Sequence, residues 1–233
     1  LGLEPDGDPT PVPGAAAKRT NVVDAAWAAV DWTLARALRT TRFWWLALGY
    51  FCGLLAWYLV QVHQTKYLVE NGFLATQAAF ALGMVSLAGV PGQIALGQLS
   101  DRIGREPVWA IGSLGFVGTY VALLALPSFP SPLLLWTMVL LQGVLGYGVT
   151  SVFGAIPAEI FEGKHYGSIF GTLALASIAG GAVGPWLGGL VHDATGSYAI
   201  AFWIAIGASV LSIVAIYRAA PGKVRAVAGR MGA

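Results

Sequence analysis

Charge is what this sequence has least of: Asp, Glu, Lys and Arg make up 10% of its 233 residues, against about 25% in a water-soluble domain. With 57% hydrophobic residues and a mean hydropathy of +0.70, a soluble globular fold is excluded and the chain reads as a membrane protein whose partner is the lipid bilayer. Cysteine is nearly absent. Cys52 stands alone inside an apolar stretch, which rules out a disulfide framework and leaves packing as its role. His63, His165 and His192 are far apart, and neither a zinc-ligand spacing nor a Ser/His/Asp set occurs. The expectation is therefore no metal, no cofactor, no catalytic residue and no enzyme. Glu159 and Glu162 lie three residues apart but are expected to pair with loop arginines or water. A secretory leader, with a charged region before a short apolar run and cleavage site, is not seen either; with Leu1 as first residue, the chain is expected to be a piece of a longer one.

What the sequence does have is long runs without Asp, Glu, Lys, Arg or His. None falls between Arg42 and His63, Glu70 and Asp101, Glu106 and Glu159, His165 and His192, or Asp193 and Arg218. A helix crossing a hydrocarbon core of about 30 Å needs about 20 apolar residues. The long third run therefore holds two spans, divided at "PSFPSP" (Pro127 to Pro132). Six spans result, at Phe43 to Val62, Leu74 to Leu99, Val108 to Leu126, Leu133 to Ile156, Gly167 to Val191 and Tyr198 to Tyr217. Of the 13 Lys and Arg residues, only Lys66 falls on the side opposite the termini, so the positive-inside rule predicts a multi-pass plasma (inner) membrane protein with both ends cytoplasmic. The net charge of +2 and the isoelectric point near 8.8 follow from that topology, and a nucleic-acid partner does not.

Four regions follow: a disordered cytoplasmic linker over 1–20, an amphipathic cytoplasmic helix over 21–42, the six-helix bundle over 43–218, and a basic cytoplasmic tail over 219–233. The linker is rich in Pro and Gly without apolar period. In the second region Val23, Trp27, Val30, Leu34 and Leu38 recur at spacings of 3 and 4, the stripe of a helix lying along the cytoplasmic membrane surface or against the cytoplasmic ends of the spans. Within the bundle, Gly180, Gly184 and Gly188 repeat at intervals of 4 and predict a close helix-packing face, while Pro91 and Pro185 are expected to interrupt their spans.

The densest charge lies in "GQLSDRIGREP", Gly97 to Pro107, the short connection between the second and third spans. Gly104 permits a positive φ at the turn, and Pro107 suits the first turn of the next helix. Asp101 adds nothing to the positive-inside pattern and asks for a cationic partner.

Gly97, Leu99, Asp101, Arg102, Gly104 and Arg105 match the G-x-L-x-D-R-x-G-R pattern, and on it the chain resembles the major facilitator superfamily. The resemblance covers about residues 30 to 218 and implies the C-terminal half, helices seven to twelve, of a twelve-helix carrier. The expected fold is thus all-α, six transmembrane helices forming one half of a major facilitator fold, with the N-terminal six-helix half as its missing partner. The implied function is secondary active transport by alternating access. The implied role of Gly97, Asp101, Arg102, Gly104 and Arg105 is a conformational latch. Where the family often has a second basic residue, this chain has Glu106. "ARALRTTRFWWLALGYF" (Ala35 to Phe51), "LLQGVLGYGVTSVFGAIPAEIF" (Leu140 to Phe161) and "GSIFGTLALASIAGGAVGPWLGGLVHDATGSY" (Gly167 to Tyr198) resemble the monocarboxylate and oxalate/formate porter branches. Those imply a small organic anion moved by symport or antiport with a coupling ion. Yet the stretches where such carriers place an arginine or lysine, Asn71 to Ser100 and Tyr166 to Val191, hold no Lys or Arg. A proton-coupled exporter of neutral or amphipathic compounds is the alternative, and a six-helix scaffold is another.

Polar and aromatic groups inside the spans supply the candidates for a substrate cavity bounded by spans one, two, four and five: Tyr50, Trp57, Gln61, Gln93, Gln142 and Tyr147. Tyr50, Trp57 and Gln61 share one helix face. His63, at the outer end of the first span, is the candidate for proton coupling because histidine titrates near neutral pH.

Overall fold

The computed structural model describes residues 21–230; the linker expected over 1–20 and residues 231–233 of the tail lie outside them. Two single-turn helices open the described region, α1 (Ala25–Ala28) and α2 (Leu34–Ala37). Six helical segments follow that are long and apolar enough to cross a membrane. The first joins α3 (Thr41–Gln61) to α4 (Gln64–Glu70), and so runs two turns past the Val62 limit expected from sequence. The next two are α5 (Ala75–Ile103) and α6 (Arg105–Ala125). The fourth is broken into α7 (Pro132–Leu140), a π-turn over Leu141–Leu145, a 3-10 turn over Gly146–Gly148, α8 (Val149–Phe153) and α9 (Ala155–Ile160). The last two are α10 (Tyr166–Thr195) and α11 (Ala199–Ala219).

The amphipathic segment does not form one continuous helix. Asp24 caps α1 by accepting the Trp27 N–H at 3.0 Å, and Thr33 caps α2 by accepting the Arg36 N–H at 3.4 Å. Two N-caps nine residues apart divide the segment, since a capping residue takes extended backbone that a helix interior cannot contain. Of the two placements open to it, the stripe takes the one against the ends of the spans. Trp27 donates its indole N–H to the Ile160 carbonyl at 2.8 Å, and Trp32 meets Phe161 edge-on at 5.2 Å. Val23, first of the stripe, is left exposed.

The tail is equally docked. Pro221, Val224 and Val227 are buried, and the strand-like pairing of Val22 with Arg225 joins the segment before the bundle to the one after it. Val23 donates to the Val224 carbonyl at 2.9 Å and Ala226 to that of Asn21 at 2.7 Å.

Helix breaks fall elsewhere than the prolines predict. α5 continues through Pro91 and α10 through Pro185, because one missing N–H removes one bond from helices of 29 and 30 residues. The fourth span breaks at glycines that press on neighbouring backbone. A Cβ on Gly143 would sit 2.7 Å from the Val85 carbonyl oxygen of α5, and one on Gly115 of α6 would sit 2.8 Å from the Gly146 nitrogen. The fourth span is thus wedged between the second and third at near-contact distance, a fit that only missing side chains allow.

Span one is the hub of the bundle. Gly180, Gly184 and Gly188 all face it: Gly180 lies against the Phe51 carbonyl, and a Cβ on Gly184 would stand 2.6 Å from the Leu55 oxygen. One on Gly188 would stand 2.8 Å from the His63 ring. On the other side, Trp109 donates to Ser212 Oγ at 3.0 Å, and Ser212 donates to the Gly49 carbonyl at 2.7 Å, tying spans three, six and one together.

Candidate functional site

Packing against this hub leaves a cavity of about 460 Å³. Six aromatic residues line it: Tyr50 and Trp57 from α3, Trp109 and Phe116 from α6, Phe153 from α8 and Phe170 from α10. Two of the six sequence candidates, Tyr50 and Trp57, line it. Tyr50 is fully buried, donates its hydroxyl to the Phe153 carbonyl, and stacks on Phe153 at 4.3 Å and Trp109 at 5.3 Å. Its ring is a wall held from both sides. The cavity takes residues from spans one, three, four, five and six, and none from span two. Gly89 and Gly92 of α5 are pressed against Tyr147 and Val144 of the fourth span, which lies between the second and the cavity. Gln93 accordingly lines no part of it.

Two of the other candidates, Gln61 and Gln142, join Gln64 in a polar cluster. Gln142 lies on the π-turn, is 1% exposed, and donates to Gln61 at 2.7 Å and to Gln64 at 3.2 Å. Gln64 returns a bond to Gln142 at 2.8 Å. Gln64 is completely buried yet was not among the candidates, because the first span was expected to end at Val62. Amides satisfy one another here in a low-dielectric interior, where an unpaired one would be costly. Tyr147 packs its ring on Trp57 at 4.8 Å and so touches the cavity through it. At the end opposite the basic one, His63 Nε2 meets the Pro185 carbonyl at 2.9 Å, and Nδ1 lies 3.4 Å from the Tyr198 hydroxyl. Its imidazole joins spans one, five and six.

At the basic end the charged connection is a single network centred on Arg105. The guanidinium donates to Asp101 at 2.7 Å, to Glu159 at 2.7 Å and to the Ser100 hydroxyl. Asp101 ends α5, Arg105 starts α6 and Glu159 sits in α9, so three spans meet in one side chain. Gly104 turns the chain with φ +100°, a conformation that side chains rarely adopt. Gly97 has ordinary space: a Cβ there would be 3.5 Å from Ser151. Arg102 makes no ion pair among the described residues, and its backbone lies against Gly229 of the tail. Glu106, the departure from the pattern, accepts the Gly222 N–H at 2.8 Å and anchors the tail beneath the connection. Glu162 pairs with Arg225 of the same tail.

A family model described as Major Facilitator Superfamily matches residues 3–154 and 46–232. The chain belongs to the Major Facilitator Superfamily. It is similar to Monocarboxylate transporter 13 of Bos taurus, 29% identical over 150 residues, which are 64% of this chain and 35% of that one. It is similar to the Gentisate transporter of Corynebacterium glutamicum, 28% identical over 149 residues, 63% of this chain and 32% of that one. Against the Tetracycline resistance protein, class H, of Pasteurella multocida the identity is 30% over 152 residues, 64% of this chain and 36% of that one. The matched part spans about a third of each relative's length. No Lys, Arg, His, Asp or Glu is among the cavity's lining residues in the described region.

Proposed function

We propose that this chain is one half of a secondary active transporter that works by alternating access, its basic end cytoplasmic in the plasma membrane, and that it pairs with an N-terminal six-helix half. The observation that carries the reading is the Asp101–Arg105–Glu159 network, which ties three helix ends at one membrane face. Such a tie acts as a latch: it stabilises one packing of the helix ends and separates when the halves rock. Asp101, with 59% of its side chain exposed, supplies the releasable contact. Glu159 Oε2 is buried with no hydrogen-bond partner among the described residues, an acceptor held ready for a donor brought up in the other packing.

The substrate reading is a small organic anion such as a monocarboxylate, moved by symport or antiport, in line with the names of several relatives. On this reading the counter-charge comes from the partner half, because a bare anion in an apolar cavity is strongly disfavoured. His63 is the proposed coupling group, since a change of charge there is felt by spans one, five and six together. The uncharged cavity favours a second reading, export of neutral or amphipathic compounds.

Uptake by the full-length protein in proteoliposomes tests these proposals. Asp101→Ala is expected to slow transport while membrane insertion stays normal; unchanged uptake removes the latch. His63→Gln is expected to flatten the pH dependence of uptake, and an unaltered pH profile removes the coupling role. Competition by small carboxylates supports the anion reading, and its absence supports the neutral one.

A further inference from the structure

Two serines in the cavity wall make no hydrogen bond to another protein group among the described residues. Ser113 on α6 and Ser209 on α11 are 5% and 3% exposed and both line the cavity. A serine inside a helix commonly returns its hydroxyl to a carbonyl three or four residues back, as Ser177 does to Ala174 at 2.8 Å. Ser212, one turn beyond Ser209, is engaged both as donor and as acceptor. Among the described residues the hydroxyls of Ser113 and Ser209 make no hydrogen bond, although each could donate one and accept another. The buried polar side-chain atoms left without a partner among the described residues are Glu159 Oε2 and Arg225 Nε, so the two serine hydroxyls open onto the cavity, where a polar group of a bound molecule can meet them.

The surroundings define the rest of that molecule. Trp57, Phe116, Phe153 and Phe170 bound a volume of about 460 Å³, within the range of about 300–1,000 Å³ typical of small-molecule sites. Aromatic walls prefer to meet another ring in offset or edge-to-face geometry. The absence of charged lining residues disfavours a charged group inside these walls. We infer that the cavity is a binding site for an uncharged aromatic moiety of one or two rings, whose single hydrogen-bonding group is held by Ser113 and Ser209. The inference deepens the transporter reading by stating which part of a substrate this half grips; any charged group of the same compound lies outside these walls.

Equilibrium binding of tritiated 2-naphthol to the full-length protein in lipid nanodiscs provides the test, because it reads the site without requiring transport. Naphthalene, which lacks the hydroxyl, and decahydro-2-naphthol, which lacks the aromatic ring, serve as comparison probes. Replacing Ser113→Ala and Ser209→Ala together should weaken 2-naphthol roughly tenfold or more while leaving naphthalene within about twofold, as loss of hydrogen bonds requires. Ala174→Phe, which fills the cavity from α10, should abolish saturable binding of both probes. Equal effects of the double substitution on both probes, or no effect on either, would overturn the role of the serines. Decahydro-2-naphthol binding as tightly as 2-naphthol would overturn the aromatic class, and binding that survives Ala174→Phe would place the probe elsewhere. A protein that binds 2-naphthol as stated but transports nothing keeps this site and loses only the transporter reading.

Discussion

Removing Arg105 should destabilise this protein far more than removing Asp101, although the two share a salt bridge. Arg105 and Glu159 are 16% and 14% exposed and 2.7 Å apart, so the pair is largely withdrawn from water. Taking one partner from such a pair strands the other charge, at a typical cost of about 3–5 kcal/mol. Asp101 meets the same guanidinium at the same distance but is 59% exposed, and an exposed pair contributes about 0–1 kcal/mol. Arg105→Ala should therefore lower the unfolding free energy by about 3–5 kcal/mol. Asp101→Ala should lower it by less than about 1 kcal/mol. Glu159→Ala should fall between them, since Arg105 keeps Asp101 and Ser100 as partners. Double-mutant cycles on the detergent-solubilised protein, unfolded reversibly with a denaturing detergent, isolate the pair energies. The Arg105/Glu159 coupling should exceed the Arg105/Asp101 coupling by about 1 kcal/mol or more. Equal couplings, or a larger one to Asp101, would refute the ranking by burial. The same ranking separates stability from conformational control, because Asp101→Ala then alters transport in a protein that is scarcely less stable.

Gly184→Leu should cost more than about 3 kcal/mol and sharply reduce folded yield, since even its Cβ would stand 2.6 Å from the Leu55 oxygen, whereas Gly97→Ala should leave thermal stability within about 1 kcal/mol. Gln142→Leu should cost about 1–3 kcal/mol by leaving Gln61 and Gln64 without their shared partner, measured in the same unfolding assay. Glu106→Ala should release the tail and speed tryptic cleavage at Lys223 roughly tenfold, while Glu106→Gln, which keeps an acceptor for the Gly222 N–H, should retain protection; equal rates in all three proteins would show that Glu106 does not hold the tail.

The sequence by itself determined the number of spans and the place of the charged connection. Both follow from terms that act residue by residue: a charge is expelled from hydrocarbon wherever it lies in the chain, and a run of about 20 apolar residues is a span whatever it packs against. The glycine face at Gly180, Gly184 and Gly188 was legible for a similar reason, because the helix period alone puts the three on one side. Only the tertiary structure decided what met those features. The cavity's composition depended on which helices neighbour one another. Trp109, Phe116 and Phe170 are ordinary core aromatics in the sequence, and became walls because Tyr50 faces Trp109, Trp57 faces Phe116 and Phe153 faces Phe170. Gln64 entered the buried amide cluster only because α4 continues the first span into the bundle. The segment over 21–42 shows the same division: its apolar stripe was correctly periodic, but a stripe says only that one side seeks apolar contact. Capping at Asp24 and Thr33, with the reach of Trp27 to Ile160 across 133 residues of chain, decided that the contact would be the base of the bundle.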